Sequence, residues 1–450
     1  MRGSTRRGLP LVVGALVIVA LLALARTLGH PPPSLPRNGE TFIEEGPGYV
    51  TIIDAGSSGC RAHVFKYTRV GVSVSLDPRH ESLKVRPGLS TFVDDPAAAG
   101  RSLDPLLDFM RGQIPEPMWM SSPVYLKATA GLRMLPLDRS EAILESVRGT
   151  LAASEFMFDV DDGAKIIAGT DEGGFGWLSV NYLMHNFENE HWTAVVEMGG
   201  ASAQVTELAR SNLRGRIPDG SSFSFAVGGK KYDLYANSYL GYGLEQAREK
   251  INAVLRDENR NEDPCLYEGY AKSASDERDS VYDGAPGIQV AGAGDFGNCR
   301  ALVETVLFPQ TPCSHASCSR IQGAFQPKDL PEANVLAFEN FYYTASMLGL
   351  HQPDTQPQQF RFEAKKVCNT HWTDLLASDY PKDDSDKADL TKLCFSGVYL
   401  AMFLEKGLGL QPDKKITVQQ TVDGNGIDWS LGAAIHETSK LAAAAAAARA

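Results

Sequence analysis

The chain has 450 residues, of which 43% are hydrophobic and 22% are charged, and its formal net charge is −12. This length and apolar content are enough for a large core and predict two domains. The acidic balance, with no basic tract beyond the N-terminus, excludes a nucleic-acid-binding surface, so local loops and a metal ion would have to hold any anionic substrate.

The N-terminal part of the chain has the pattern of a membrane anchor. Residues 9–25 carry no charge and follow three arginines, which favours a signal anchor that leaves residues 1–8 in the cytosol. The alternative is a cleaved signal peptide, because the triplet at residues 23–25 (Ala-Leu-Ala) suits a signal peptidase. Residues 26–45 are rich in proline and predict an extended stalk before the folded body.

Residues 49–67 predict two strands joined by a turn that can bind phosphate. An apolar β-branched run ends at Asp54, and Gly56, Ser57, Ser58 and Gly59 follow in a small, hydroxyl-rich turn. Such a turn points backbone N–H groups inward and makes a nest for an anion. The carboxylate beside it favours a divalent cation that bridges the two. The alternative for a single copy is a plain hairpin.

A second copy of this pattern occurs about one domain's length later. Glu197 ends an apolar strand, a turn with Gly200, Ala201 and Ser202 follows, and a returning strand contains Gln204. Two such turns, one in each domain, predict a nucleotide polyphosphate held across a cleft.

The region between the two turns supplies a candidate general base. Residues 124–130 predict a buried strand that ends in small residues, among them Ala130, which allow a ligand or another backbone to approach. Residues 138–156 have helical periodicity. A strand at residues 164–167 then leads to Glu172 at the start of another helix. A solvated helix cap is the alternative reading of Glu172, whose carboxylate could instead activate a water.

The C-terminal half predicts further helices, at residues 239–255, 334–348, 393–404 and 427–437. Tyr342, Tyr343 and Tyr399 belong either to the core or to a nucleobase contact. Residues 441–450 are almost pure alanine, and we assign no function to them.

The cysteines indicate an oxidising compartment. Six of the seven can pair as sequence neighbours, although six cysteines allow 15 pairings. The candidate disulfides are Cys265–Cys299, Cys313–Cys318 and Cys368–Cys394. A metal site at Cys313 and Cys318 is the alternative for the second of these. Cys60, beside the first turn, has no partner in these candidate pairs.

Five segments in order make the chain resemble the nucleoside triphosphate diphosphohydrolase (apyrase) family. They are residues 54–59, 128–133, 169–181, 197–204 and 429–434. The resemblance implies an α/β fold with two ribonuclease-H-like domains, as in the actin, sugar-kinase and heat-shock ATPase superfamily, facing a central cleft. It places domain I at residues 46–168 with 406–438 returning to it, domain II at 169–405, and an alanine-rich tail at 439–450.

The resemblance also implies metal-dependent hydrolysis of the terminal phosphate of nucleoside di- or triphosphates. Glu172 matches the base that activates water, with Ser202, Gln204 and Ala130 positioning that water. Asp54 and Glu197 match the carboxylates that hold Ca²⁺ or Mg²⁺, largely through water. The residues that match phosphate ligands are Ser57, Ser58, Gly59, Gly200, Ala201 and Ser202. Glu197 departs from the family, which usually has aspartate there, and Cys60 replaces a more common polar residue.

The single anchor and three candidate disulfides resemble the Golgi and soluble branches of the family. We therefore expect a single-pass protein of the Golgi or secretory-pathway membrane with a lumenal catalytic domain, or alternatively a secreted or cell-surface one. The alternative activities are a kinase of the same superfamily, an exopolyphosphatase, and a catalytically silent nucleotide-binding ectodomain. Base preference, the preference for di- or triphosphates, and oligomeric state stay open.

Overall fold

The computed structural model describes residues 43–448, except for residues 212, 214, 271–289, 351–353 and 379–383. The predicted anchor at residues 9–25 lies outside the described residues, as does the stalk up to residue 42. Among the helices that are described, none combines the length and the apolarity of a membrane span.

Groups of strands and groups of helices follow one another along the described chain. The strands are β1 (Gly46–Ala55), β2 (Cys60–Val70), β3 (Ser73–Leu76), β4 (Glu81–Val85), β5 (Val124–Ala128), β6 (Ala164–Ile166), β7 (Ala194–Met198), β8 (Ser202–Leu208), β9 (Ser222–Val227), β10 (Lys230–Leu240), β11 (Glu262–Asp263), β12 (Ala291–Gly292), β13 (Val335–Glu339), β14 (Thr417–Val418), β15 (Thr421–Val422) and β16 (Asn425–Gly426). The helices are α1 (Pro96–Arg101), α2 (Asp104–Gln113), α3 (Ala130–Arg133), α4 (Leu137–Ala152), α5 (Gly169–Leu183), α6 (Asn186–Asn189), α7 (Leu244–Asp257), α8 (Phe296–Leu307), α9 (Asn340–Met347), α10 (Pro357–Cys368), α11 (Trp372–Ala377), α12 (Asp384–Met402) and α13 (Trp429–Ala447).

The first sheet has the strand order β3-β2-β1-β5-β6, and β4 also pairs with β2. β1 runs antiparallel to β2 and parallel to β5, and β5 runs parallel to β6. A parallel neighbour requires a crossover connection, which α1 and α2 supply between β4 and β5. The antiparallel hairpin and the parallel strands therefore meet at β1, which ends at the first phosphate turn.

The second sheet repeats this plan in the order β9-β10-β8-β7-β13-β14. β7 runs antiparallel to β8 and parallel to β13, and β13 runs parallel to β14. The central strand of each sheet thus ends at one of the two turns that the sequence singled out. The predicted fold class, α/β with two ribonuclease-H-like domains of the actin type, is confirmed by this repeated sheet.

The core lies in layers on both faces of each sheet. β1 shows this directly, since Ile52 belongs to the apolar cluster shared with α5 and α13, whereas Ile53 belongs to the cluster under α1, α2 and α4. β7 divides in the same way: Val195 faces α5 and α13, and Val196 faces α7, α8 and α12. α5 and α13 therefore occupy the layer between the sheets.

Small residues bring α5 and α13 into close contact. A Cβ built on Gly432 would lie 2.0 Å from Phe175 O, so no larger residue fits there. The Gly432 N–H donates to Ser179 Oγ at 2.7 Å. A buried ion pair, Lys127 Nζ to Glu437 Oε1 at 2.5 Å, joins α13 to β5. The closing helix is therefore tied to the strand that precedes Ala130.

The C-terminal part of the chain, from β14 onward, contacts both sheets. β14 extends the second sheet through its pairing with β13, whereas α13 packs on α5, β1 and β3. The domain boundaries drawn from the resemblance stay a prediction. The alanine-rich segment is not a separate tail as far as residue 447, because α13 continues to Ala447 and buries Ala442 and Ala445.

Two helix predictions were wrong in their first parts. Residues 334–348 form β13 and then α9, and the region predicted as a helix from residue 239 begins in β10 and is helical only from Leu244. Both segments open with short apolar runs, and periodicity does not distinguish such a run in a buried strand from one in a buried helix.

The three cysteine pairings occur in the structure, and Cys60 is the free, buried cysteine of the described chain.

Candidate active site

The two turns close in the same way. In the first, Asp54 pairs with Arg61 across β1 and β2, and the Gly56 N–H donates to Gly59 O at 3.0 Å. In the second, Glu197 pairs with Gln204 across β7 and β8. The Gly199 N–H donates to Ser202 O, also at 3.0 Å. A carboxylate therefore precedes an identical tight turn in each domain.

Close packing explains why small residues surround the first turn. A Cβ on Gly59 would lie 2.4 Å from Val85 O, and one on Gly131 would lie 2.9 Å from Ser57 Cα. Gly59 therefore seats the turn on β4, and Gly131 lets α3 approach Ser57.

Both turns open into one cavity of about 200 Å³. Its lining residues are Asp54, Gly56, Ser57, Ser58, Arg61, His63, Lys84, Thr129, Ala130, Glu172, Glu197, Gly199, Gly200, Ala201, Ser202, Glu339, Asp428 and Trp429. Residues of both sheets and of α3, α5 and α13 thus meet at a single point, as a cleft between two domains requires.

The cavity concentrates carboxylates, and Arg61 and Lys84 offset only part of the repulsion on Asp54. Burial, with Glu172 and Asp428 nearby, raises the pKa of Asp54 to about 8. Burial and the same kind of repulsion raise the pKa of Glu197 well above its usual range. Within the described residues, neither Asp54 Oδ1 nor Glu197 Oε2 has a hydrogen-bond partner. Buried carboxylate oxygens without partners fit a hard divalent cation, which takes oxygen ligands and offsets the repulsion.

Glu172 lies in the first turn of α5 with two donors on its carboxylate. Arg133 Nη2 donates to Glu172 Oε2, and Gln204 Nε2 donates to the same oxygen at 3.1 Å. Burial raises the pKa of Glu172, and the Arg133 cation opposes this. The side chain is therefore fixed in position, and Arg133 opposes the loss of its carboxylate form.

Gln204 connects Glu172 to the second turn. Its Nε2 lies 2.8 Å from Ser202 Oγ and 3.1 Å from Ser238 Oγ, besides its contact with Glu172. Gln204 itself is 2% exposed. A group hydrogen-bonded to Ser202 and Glu172 at once would lie beside Gln204, on the side of the second turn.

A lysine complements the first turn. Lys84, on β4, donates from Nζ to Ser58 Oγ at 3.0 Å. Burial lowers the pKa of Lys84, with Arg61 and Arg86 adding to the effect. Lys84 and Arg61 are the cationic side chains that line the described cavity, and they lie on the side of the first turn.

The structure brings most of the predicted site residues together, with two groups of exceptions. Gly59 and Gln204 do not line the cavity, although Gly59 shapes the turn and Gln204 contacts Glu172. The three tyrosines do not line it either. Tyr343 is 50% exposed, and Glu339 is among the charges that act on its phenol. Tyr342 is part-buried beside it, with ring centroids 5.7 Å apart.

Of the two alternatives for Tyr399, the structure supports the core and not the nucleobase contact. Its side chain is fully buried, and its hydroxyl donates to Tyr242 O at 2.6 Å. Its ring stacks between Phe308 and Phe395 at centroid distances of 6.0 and 5.6 Å. Because both ring faces and the hydroxyl are occupied, Tyr399 is a core residue and leaves no face for a nucleobase.

Sequence reasoning missed two acidic residues of the cavity. Glu339 ends β13, which runs parallel to β7 with Phe338 opposite Glu197, so Glu339 reaches the same edge of the sheet. Its φ of 58° is a rare value for a residue with a side chain. Asp428 caps α13 by accepting from the Ser430 N–H at 2.7 Å. Asp428 directly precedes the fifth of the matching segments, residues 429–434, and this position was the available sequence signal for it.

Comparisons with known proteins agree with this geometry. A model of the GDA1/CD39 (nucleoside phosphatase) family matches residues 41–448. A protein named probable apyrase 5 from Arabidopsis thaliana is 33% identical over 450 residues, covering 94% of this chain and 89% of that protein. A guanosine-diphosphatase from Candida albicans is 31% identical over 432 residues, covering 86% of this chain and 70% of that protein.

A solved structure supports the fold alone. The nucleoside triphosphate hydrolase structure from Neospora caninum superposes with a TM-score of 0.62 at 17% identity, covering 95% of this chain and 97% of that one. The family match spans all of the cavity residues and nearly the whole described chain. The protein therefore belongs to the GDA1/CD39 family of nucleoside phosphatases.

Proposed function

We propose that this nucleoside phosphohydrolase hydrolyses the terminal phosphate of nucleoside di- and triphosphates, with Glu172 as the general base. The observation that carries the proposal is the position of Glu172 and its partner Gln204 beside a cavity that both phosphate turns share. A carboxylate held between the turns can take a proton from a water aimed at a terminal phosphate.

Asp54 and Glu197 would hold a Ca²⁺ or Mg²⁺ ion, mostly through water. Their partnerless buried oxygens and raised pKa values support this role. A bound divalent cation would supply positive charge to the phosphate oxygens. Glu339 adds a further carboxylate to the same cavity, and Gln420 Nε2 donates to it at 3.1 Å. The extra methylene of Glu197, compared with aspartate, still lets its carboxylate reach the cavity.

The two turns would bind the phosphates from opposite sides. Ser57, Ser58, Gly200 and Ala201 line the cavity and carry backbone N–H groups and hydroxyls suited to phosphate oxygens. Gly59 would contribute a backbone N–H. Because Lys84 contacts Ser58 Oγ, its charge would add to the first turn.

The attacking water would sit between Ser202, Gln204 and Glu172. Gln204 Nε2 contacts Ser202 Oγ at 2.8 Å and Glu172 Oε2 at 3.1 Å. Ala130, on the cavity wall in α3, would help to align the water. The proton would pass to Glu172, and the leaving nucleotide oxygen would depart in line with the incoming one.

Replacing Glu172 by glutamine tests the proposal. Phosphate release from ATP, ADP, GDP and UDP should be lost in E172Q in the presence of Ca²⁺ or Mg²⁺, whereas nucleotide binding should persist. Glu207→Gln is the matched control, because Glu207 is a buried glutamate of β8 outside the cavity. Full activity of E172Q would refute the role of Glu172, and chelator-resistant wild-type activity would refute the metal requirement.

The relatives suggest which substrates to compare first. One is named as a guanosine-diphosphatase and another as a probable apyrase, so we propose GDP and UDP, as well as ATP and ADP, as candidate substrates. If diphosphates rank first, a Golgi role that removes the products of glycosyl transfer is favoured. If triphosphates are cleaved equally well, a broad apyrase is favoured, secreted or at the cell surface.

We also propose that the body of the protein lies in the lumen of the Golgi or secretory pathway behind a single N-terminal anchor. The three disulfides support an oxidising compartment. Protease protection in intact membrane vesicles tests this topology. Digestion of the body without detergent would place it on the cytosolic side and refute the proposal.

A further inference from the structure

Two histidines and an aspartate converge at one side of the active-site cavity. His63 lies on β2, His80 lies in the turn between β3 and β4, and Asp428 directly precedes α13. His63 Nδ1 is 2.9 Å from His80 Nε2 and 3.7 Å from Asp428 Oδ2. One ligand atom from each residue lies within 4.8 Å of the other two.

The outer contacts of these residues orient their ligand atoms inward. His80 Nδ1 lies 3.0 Å from Pro78 O, and because a carbonyl oxygen only accepts, this nitrogen carries the proton. His80 Nε2 therefore presents its lone pair to the cluster. Asp428 Oδ1 accepts from the Ser430 N–H at 2.7 Å, which leaves Oδ2 facing His63. Metal sites use such outer hydrogen bonds to fix the tautomer and the orientation of their ligands.

The short contact between the two histidines is a hydrogen bond in this structure. Because His80 Nε2 carries the lone pair, His63 Nδ1 donates to it across 2.9 Å. A bound ion would replace this shared proton, with His63 taking its other neutral tautomer, since a neutral imidazole and a carboxylate are the forms that coordinate a cation.

The separations suit a shared ion. Two ligand atoms at about 2.1 Å from one ion lie about 3.4 Å apart in a tetrahedron and at most about 4.2 Å apart. The 3.7 Å from His63 Nδ1 to Asp428 Oδ2 falls in this range, whereas the 2.9 Å to His80 Nε2 is the shorter distance of a direct hydrogen bond. His80 lies in an irregular turn, and binding requires its ring to move away from His63 to make room for the ion.

We propose that His63, His80 and Asp428 form a binding site for Zn²⁺ or a similar borderline divalent ion. The site lies beside the all-oxygen cluster around Asp54 and Glu197 and differs from it in ligand chemistry, because imidazole ligands favour zinc-class ions whereas oxygen ligands favour Ca²⁺ and Mg²⁺. The proposal does not depend on the chemistry assigned to Glu172.

A bound ion would link three parts of the cavity wall. It would tie β2 and the N-terminus of α13 to the turn before β4, and β4 carries the lysine that contacts Ser58. His63 and Asp428 also line the cavity, so an open coordination position would face it. The measurable consequence is a higher melting temperature in the presence of Zn²⁺.

Zinc binding by the full chain, purified without a polyhistidine tag, tests the proposal. Excess Mg²⁺ occupies the oxygen ligands while Zn²⁺ is titrated against a chromophoric chelator. We expect one equivalent of Zn²⁺ to bind and to raise the melting temperature. We expect His80→Ala to weaken this binding at least tenfold. His191→Ala, which removes an exposed histidine outside the cluster, should bind zinc as the wild type does.

A second variant and a second metal distinguish loss of the metal site from loss of folding. Asp428→Asn keeps a capping side chain before α13 but removes the anionic ligand, and it should also weaken binding. Co²⁺ in the wild-type site should give visible absorption typical of nitrogen ligands, and H80A should lose it. Wild-type zinc affinity in H80A, or a Co²⁺ spectrum unchanged by H80A, would overturn the proposal. The metal-free melting temperatures show whether each variant is folded.

Discussion

Arg133 opposes the rise in the pKa of Glu172, so its removal is expected to shift the pH dependence of hydrolysis. The two side chains form an ion pair at the cavity and are only 14% and 9% exposed. Burial raises the pKa of Glu172, and the Arg133 guanidinium is the group that opposes this rise. In Arg133→Met a side chain of similar length remains, but the opposing charge is gone.

The magnitude follows from the contact between the two groups. A cation in contact lowers a carboxyl pKa by about 1–3 units, and each unit corresponds to about 1.4 kcal/mol. Removing Arg133 therefore raises the pKa of Glu172 further. A general base acts as the carboxylate, so activity is lost as the pH falls through its pKa. The acidic limb of the kcat profile should move to higher pH by about 1–3 units in R133M.

The assay is kcat for phosphate release at saturating nucleotide and Mg²⁺, measured over the pH range in which the protein stays folded. Arg111→Met is the matched control, because Arg111 pairs with Asp108 and Glu155 at the surface, away from the cavity. Its acidic limb should coincide with that of the wild type. If the limb of R133M also coincides with the wild type, Arg133 does not set the charge of Glu172, and the reasoning is refuted.

Three further predictions concern stability and binding. Folding raises the pKa of Asp54 from 3.8 to about 8. Between these two pH values the folded protein keeps a proton on Asp54 that the unfolded chain releases. The resulting stability is therefore complete below pH 3.8 and is lost as the pH rises through about 8. The melting temperature of chelated protein should fall over that range and recover with Ca²⁺ or Mg²⁺, and a flat profile would contradict this. Among the described residues, Lys127→Met leaves Glu437 with Lys440 at 3.0 Å as its cationic partner and should destabilise folding by about 3 kcal/mol in urea unfolding. Lys415→Met, at the exposed pair with Asp354, should cost less than about 1 kcal/mol, and equal costs would contradict the larger contribution of the buried pair. Tyr343→Ala should raise KM for nucleotides with little change in kcat, and an unchanged KM would remove Tyr343 as a base contact.

The chemistry of the two turns was visible in the sequence because it is local. Each turn consists of an apolar strand, one acid, a few small residues and a returning strand, all within about twenty residues. The pairing of Asp54 with Arg61 and of Glu197 with Gln204 follows from hairpin register, which short loops fix. The repeated motif at one domain's spacing also predicted two domains of like construction, whereas the fold class itself came from the resemblance to the apyrase family.

The helix predicted at residues 334–348 shows where local pattern fails. Four of the five residues of β13 are buried, so both faces of the strand are apolar and no alternation marks it. A short apolar run of this kind cannot be distinguished from a buried helix by periodicity. Because the strand was missed, Glu339 was missed with it, although it ends on the same sheet edge as Glu197.

The sequence by itself determined the strand-turn-strand pattern of the two phosphate turns, and it offered a candidate base and neighbouring cysteine pairs. Only the tertiary structure decided that these cysteines pair, that Tyr399 is core while Tyr343 is exposed, and that Glu339, Asp428 and His63 reach the same cavity. The physical reason is that a turn depends on neighbours in the chain. Burial and convergence instead depend on which surfaces the sheets and helices present to one another, and residues separated by hundreds of positions set those surfaces.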